Sequence, residues 1–437
     1  MLTAPVAVID KLAFGGSGVC RIDGKVCFVP FSCPGDEVRL RITTRKKSYC
    51  TAEIEEILSA SLSRILPICP LFGSCGGCSW QHISYPFQLE QKHQIFADTL
   101  WRGARVGGEL IGGLVAAPLP YGYRSRVQFK VSVQQGELQI GFFKNGSHSV
   151  VDAAKGCPVA VPRINDFLES LRAVLAGFSE LEAISHIAVD VGEQGVIAVV
   201  HCSGQNIKKI SSFLLDRSSA LNSCSGLFLQ TGQNSAPVRL WGESKIVYQM
   251  PGGDSGGKSS RLTYLPGGFA QVNQSQNVAL LSIIRRLGSF NSTDRLLDLY
   301  CGNGNFSIPL AADVASVVGV EGAKDSIVSA EFNRAANEVA NAEFICDDAS
   351  AGVRCLIRDG RKFDVILLDP PRTGAADAVP DIAALNPERI VYVSCDPATL
   401  ARDCALLAGF GYRVVESVPV DMFPQTYHLE SVTLLVK

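Results

Sequence analysis

The chain has 437 residues, 47% hydrophobic and 19% charged, with a net charge of −2. This length supports two or three domains with cores of their own, and the composition excludes global disorder. No apolar run reaches the ~20 residues of a membrane span. Met1 to Gly16 also lacks a basic segment leading into a long apolar one, so the expected location is cytoplasmic with no membrane partner.

Residues 5–58 read as short strands punctuated by glycine, among them Val26-Cys-Phe-Val-Pro30 and Val38-Arg-Leu-Arg-Ile42. Alternation in the second puts Val38, Leu40 and Ile42 inward and Arg39 and Arg41 outward. A small OB-like barrel is expected over 1–60, a fold that commonly binds oligonucleotides. Residues 1–50 carry eight Lys or Arg against four Asp or Glu, with Arg39, Arg41, Arg45, Lys46 and Lys47 close together. Such a run is either a solvated face or an RNA contact.

The chain has fifteen cysteines, and a disulfide framework is not expected in a chain this large without an export signal. Cys20, Cys27, Cys33, Cys50, Cys202, Cys224, Cys346, Cys355 and Cys404 stand alone and read as packing. Cys69-Pro-Leu-Phe-Gly-Ser-Cys75-Gly-Gly-Cys78 is different, because three close thiols joined by glycines can curl round a metal centre. Cys157 is the best fourth ligand, since Cys157-Pro158 repeats the pairing Cys69-Pro70. One C-x2-C unit with two solitary ligands favours an iron-sulfur cluster over zinc.

A helix is expected over 86–102, and Tyr123 to Val131 alternates as a strand with Arg124, Arg126, Gln128 and Lys130 on one side. That row could grip a phosphate backbone or solvate an edge. Residues 160–250 read as mixed α/β, and 251–257 as a surface loop. The central region is therefore an α+β domain over 61–270.

From Asn273 the rhythm becomes strand, helix, strand, as in a Rossmann-like α/β domain over 271–437. Arg295 to Tyr300 is a buried strand, Cys301-Gly-Asn-Gly304 a turn, Ser307 to Ala312 a helix, and the next strand ends at Glu321. Glycines after the first strand let the backbone approach a ligand, and an acid about twenty residues on accepts from ribose hydroxyls. No third glycine supports a pyrophosphate, which favours S-adenosylmethionine over a dinucleotide. Further strands end at Asp347-Asp348, where an adenine amino group can be met, at Asp369-Pro-Pro-Arg372, and at Ser394-Cys395. A final strand over 431–436 brings Glu430 to the sheet edge. Asp396-Pro397-Ala-Thr399 reads as the start of a helix whose dipole favours a thiolate at Cys395, a candidate nucleophile.

Asp298-Leu-Tyr-Cys-Gly-Asn-Gly-Asn305, Asp369-Pro-Pro-Arg372, Ser394-Cys-Asp-Pro397 and His428-Leu-Glu430 resemble the motifs of the RNA uracil-5-methyltransferases in order and spacing. The front of the chain resembles the branch that modifies 23S rRNA, with a TRAM domain as its barrel and Cys69, Cys75, Cys78 and Cys157 as ligands of a [4Fe-4S] cluster. The resemblance implies Cys395 as nucleophile and Glu430 as general base, with Gln271, Tyr300, Asn305, Glu321, Asp348 and Asp369 lining the S-adenosylmethionine site. It also implies an RNA partner, and the segment 83–117 packed on the catalytic domain. No obligate protein partner is evident, and a monomer is expected.

Chemistry explains the pairing. Carbon 5 of uracil is not nucleophilic until a thiolate adds at carbon 6, and its proton must then leave before the thiolate can. Three other readings fit less well. An amino-methyltransferase has an aromatic where Arg372 stands, a radical enzyme leaves one iron open, and a non-catalytic RNA-binding protein has no use for both Cys395 and Glu430.

Overall fold

The computed structural model describes residues 4–204, 206–232, 235–252 and 258–437, so most of the loop expected at 251–257 lies outside the described residues. Strands β1 (Val6–Val8), β2 (Lys11–Leu12), β3 (Gly18–Ile22), β4 (Lys25–Val29), β5 (Glu37–Arg45) and β6 (Tyr49–Ser59) form one sheet in the order β1-β5-β6-β4-β3-β2. Val38 and Leu40 point into its core with Ile9, Val29, Cys20, Cys27 and Cys50. Their outward neighbours Arg39 and Arg41 are ion-paired with Glu56 and Glu53 on β6. Two arginines of the basic run are thus spent across the strand pair.

Helix α1 (Tyr85–Ala104) carries Pro86 in its first turn, where a missing N–H costs no helical hydrogen bond. It packs on the later helix α9 (Pro397–Ala408), and Phe96 and Leu100 enter the catalytic core. Lys92, on the same helix, is fully buried with Nζ 2.5 Å from Asp421 and 3.0 Å from the Phe423 carbonyl.

The central sheet runs β13-β12-β11-β10-β7-β8-β9, with β7 (Arg126–Gln134), β8 (Glu137–Phe143), β9 (Val150–Asp152), β10 (Ile184–Gly192), β11 (Gly195–Cys202), β12 (Cys224–Thr231) and β13 (Val238–Gly242). Val127, Phe129, Ile187, Val189, Val196 and Val200 alternate onto one face, where α2 (Pro162–Leu175) and α3 (Ile207–Asp216) cover them. The other face is partly covered by the hairpin β14 (Ile246–Met250) and β15 (Ser260–Tyr264). Arg126 lies under that cover, paired with Asp190, which also accepts from the Tyr264 hydroxyl at 3.1 Å. It is therefore not a free phosphate-gripping residue.

After α4 (Gln274–Gly288) come β16 (Arg295–Leu299), α5 (Ser307–Leu310), β17 (Ser316–Glu321), α6 (Lys324–Ala336), β18 (Ala342–Cys346), α7 (Ala349–Arg358), β19 (Val365–Leu368), α8 (Val379–Leu385), β20 (Arg389–Ser394), β21 (Arg413–Val420) and β22 (Glu430–Val436). The sheet order is β18-β17-β16-β19-β20-β22-β21. Strands β16 to β20 are parallel, and β22 pairs antiparallel with both β20 and β21. Leu297, Leu299, Ile366 and Leu368 fill the core on one side, and Leu296, Val365 and Leu367 the core on the other. Burial on both faces explains why these strands read as continuous apolar runs. The order reverses between β16 and β19, which opens a crevice at their carboxyl ends. The helix expected to reach Ala312 ends at Leu310 and continues as a 3-10 turn. Of the solitary cysteines, Cys20, Cys27, Cys33, Cys50, Cys202 and Cys404 are buried, but Cys346 is exposed on the edge strand and is no packing residue.

Candidate active site

β20 ends at Ser394, which faces Ser431 on β22, so Cys395 and Glu430 leave neighbouring strands at the same level. Asp396 caps α9, accepting from Ala398 N at 2.9 Å and Thr399 N at 3.1 Å. Cys395 itself is half-buried. Burial, with the carboxyls of Glu430 and Asp369, pushes its thiol up to about 12, against the opposing pull of Arg372. Burial and then Asp369 likewise hold the Glu430 carboxyl well above the usual range. Desolvation lifts Asp369 to about 7 and drops His428 to about 4.

Tyr300 closes β16 in the left-handed region at φ 63°, turning the chain into Gly302 and Gly304. A side chain at Gly304 would meet Ile308 at 2.9 Å, whereas the space beside Gly302 is open. Glu321 ties the end of β17 to this turn, accepting from Gly302 N at 3.2 Å and Ala323 N at 2.7 Å. Asp348 caps α7 through Ser350 N and Ala351 N, a structural role alongside any contact with a ligand. Asn305 exchanges amide hydrogen bonds of 2.9 Å with Asn277 and accepts from the Tyr248 hydroxyl at 3.0 Å. Gln271 is half-buried and lines a separate hollow with Tyr248, Gln249, Tyr264 and Gln274. Tyr248 therefore stands between Gln271 and Asn305.

Three residues of this region escaped the sequence reading as individual site residues. Asn277 lies four positions after the Asn273 cap of α4, a spacing that puts both on one helix face. Tyr248 gave no signal. Asp298 was visible only as part of a motif, yet burial lifts its carboxyl to about 7 and its buried Oδ1 has no hydrogen-bond partner among the described residues. An orphaned buried acceptor at the floor of this turn suits a ligand that brings a donor.

Cys69, Cys75, Cys78 and Cys157 line one cavity of about 370 Å³, together with Arg124, Arg372, Phe423, Thr426 and His428. Gln81 accepts from Cys69 N at 3.2 Å, Gly77 N donates to the Cys75 sulfur at 3.4 Å, and Asn165 braces both N and O of Cys157. Burial raises the Cys75, Cys78 and Cys157 thiols, and the neighbouring thiols add to this in each case. Among the described residues no three His, Cys, Asp or Glu side chains converge closely enough to hold a single metal ion.

Residues 253–437 match the family model described as tRNA (Uracil-5-)-methyltransferase, and residues 6–62 match that of the tRNA (uracil(54)-C(5))-methyltransferase TRAM domain. A 23S rRNA (uracil(1939)-C(5))-methyltransferase RlmD from Shewanella amazonensis is 33% identical over 98% of this chain and 94% of its own. The chain belongs to the RNA uracil-5-methyltransferase family. The protein of the same description from Haemophilus parainfluenzae is 34% identical over 99% of this chain and 96% of its own. Among solved structures, the tRNA (uracil-54, C5)-methyltransferase of Pyrococcus abyssi, in complex with S-adenosyl-L-homocysteine, aligns with a TM-score of 0.74 and 26% identity over 99% of this chain and 100% of that one. In this RNA uracil-5-methyltransferase, Cys395 and Glu430 both lie inside the matched segment 253–437. Among the described residues no helix is long and apolar enough to cross a membrane.

Proposed function

We propose that the protein transfers a methyl group from S-adenosylmethionine to carbon 5 of a uridine in 23S rRNA, with Cys395 as nucleophile and Glu430 as base. The observation that carries the mechanism is the shared rung of β20 and β22, which brings a thiol and a carboxyl to one crevice. S-adenosylmethionine supplies the methyl group as an activated sulfonium. Glu321 offers a carboxylate to ribose hydroxyls, Asp348 meets the adenine, and Tyr300, Asn305 and Asp369 complete the wall of that site, which Gln271 would reach past Tyr248. A uridine flipped from its stack enters beside Cys395. Cys395 gives its proton to solvent and adds as thiolate to carbon 6, carbon 5 takes the methyl as S-adenosylhomocysteine departs, Glu430 in its ionised form removes the carbon 5 proton, and the thiolate is expelled.

The thiols of Cys69, Cys75, Cys78 and Cys157 line a common cavity without meeting at one point, and four irons bound from four sides ask for that spread. On this reading they hold a [4Fe-4S] cluster that fastens residues 69–78 to residue 157 beside the catalytic loop. Residues 1–60 and 61–270 hold RNA, 271–437 carry the chemistry, and the protein works as a cytoplasmic monomer.

The whole-chain relatives favour ribosomal RNA, while the solved Pyrococcus abyssi structure is of a tRNA enzyme. Mapping 5-methyluridine in both RNAs of a deletion strain separates the two. Loss of one 23S rRNA site, restored by the wild-type gene and not by Cys395→Ala, is the expected result. Loss confined to tRNA would assign the second substrate, and loss in neither would overturn the proposal.

A further inference from the structure

On the partly open face of the central sheet, Lys130 on β7 faces His186 on β10, and His186 faces His201 on β11, in one straight row across three strands. The imidazoles stack at 3.9 Å between centroids with 16° between planes. The Ser185 hydroxyl donates to the His201 carbonyl at 3.2 Å and is hydrogen-bonded to His186 Nδ1 at 2.9 Å. Among the described residues Lys130 has no carboxylate within ion-pairing distance; its Nζ donates to Gln128 at 2.8 Å and sits 4.9 Å over the exposed Phe143 ring. A solvated sheet face ordinarily mixes both signs of charge, and this row has cation, imidazoles and aromatic with no acid.

The row also leads somewhere. Gln128 is two residues, about 7 Å, before Lys130 on the same strand. It lines the cavity that holds Arg124, Arg372 and His428. Phe142 lines that cavity from β8, and the carbonyl of the next residue, Phe143, accepts from Gly76 N at 2.9 Å beside Cys75.

We infer that Lys130, His186, His201 and Phe143 form a subsite for the RNA strand that flanks the target uridine. Lys130 takes a backbone phosphate, the imidazoles hydrogen-bond ribose or base edges, and Phe143 offers its ring to an unstacked base. This rests on the proposed function for its RNA substrate and adds a surface outside the catalytic crevice.

The test measures binding of a fluorescent single-stranded oligouridylate across a salt series, and in parallel methylation of a 23S rRNA transcript, with wild type, Lys130→Gln, Lys130→Arg and His186→Gln. Lys130→Gln is expected to raise both Kd and KM about fivefold or more, to lower kcat less, and to flatten the slope of log Kd on log salt by about 0.7 to 1. Lys130→Arg keeps the slope, and equal melting temperatures exclude a folding defect. An unchanged Kd and slope in Lys130→Gln, with wild-type methylation intact, would overturn the subsite and leave the function standing. A wild-type protein that neither binds nor methylates RNA would overturn both.

Discussion

Cys395 and Glu430 each stand one residue beyond the pair Ser394 and Ser431, so the antiparallel register of β20 and β22 sets sulfur and carboxyl side by side. Addition at one ring carbon and proton loss from the next ask for two groups at that separation. Removing the second alone should stop the reaction midway. Glu430→Gln is expected to accumulate a methylated RNA still bonded to Cys395, visible as a slow band on a denaturing gel. Turnover should fall roughly 10²- to 10⁴-fold, the usual worth of a positioned base. A variant that turns over freely without the band would assign the proton to another group.

The carboxyl of Asp369, lifted to about 7 by desolvation, gives a pH signature. The proposed donor contact needs its ionised form, which is the minor form below about 7. Donor affinity should therefore improve as pH rises from 5 to 7, by up to about tenfold per unit, and level off above. Isothermal titration with S-adenosylhomocysteine checks this. Asp369→Asn should bind weakly at every pH and lose the slope.

Much of this region was legible in the sequence because chemistry and fold agree there. Buried parallel strands read as apolar runs, and polar residues stand at their carboxyl ends, as at Glu321, Asp369 and Cys395. Charge was harder to read. Arg39 and Arg41 find carboxylates on β6, and Arg126 finds Asp190, because strand pairing that no single strand reveals brings acids opposite them. The surroundings of Cys395 were hidden in the same way, since the burial that raises its thiol, and then the carboxyls of Glu430 and Asp369, come from other strands. Tyr248 and Asn277 are hydrogen-bonded to Asn305 and carry no motif of their own.

The Lys92 and Asp421 pair fastens α1 to the catalytic domain with both side chains fully buried. Lys92→Ala leaves an uncompensated carboxylate and should cost about 3–5 kcal/mol in denaturant unfolding. Lys92→Met with Asp421→Leu should recover most of that loss. A single variant within about 0.5 kcal/mol of wild type, the range of ordinary surface changes, would show that the pair does not anchor the helix.

The cysteine cavity predicts metal content. Protein purified without oxygen should carry about four irons per chain, as a [4Fe-4S] centre requires, and a visible absorption band. Cys75→Ser or Cys157→Ser should lose both and melt at lower temperature. One zinc per chain with no iron would replace the cluster by a mononuclear site.

The most direct measurement uses RNA in which the target uridine carries fluorine at carbon 5. Fluorine cannot depart as a cation, so methyl transfer should stall with the RNA bonded to the protein. The account predicts a denaturation-resistant adduct, dependent on the methyl donor, whose crosslinked peptide contains Cys395 and which Cys395→Ala abolishes. Absence of the adduct in wild type, or its persistence in Cys395→Ala, would contradict the mechanism.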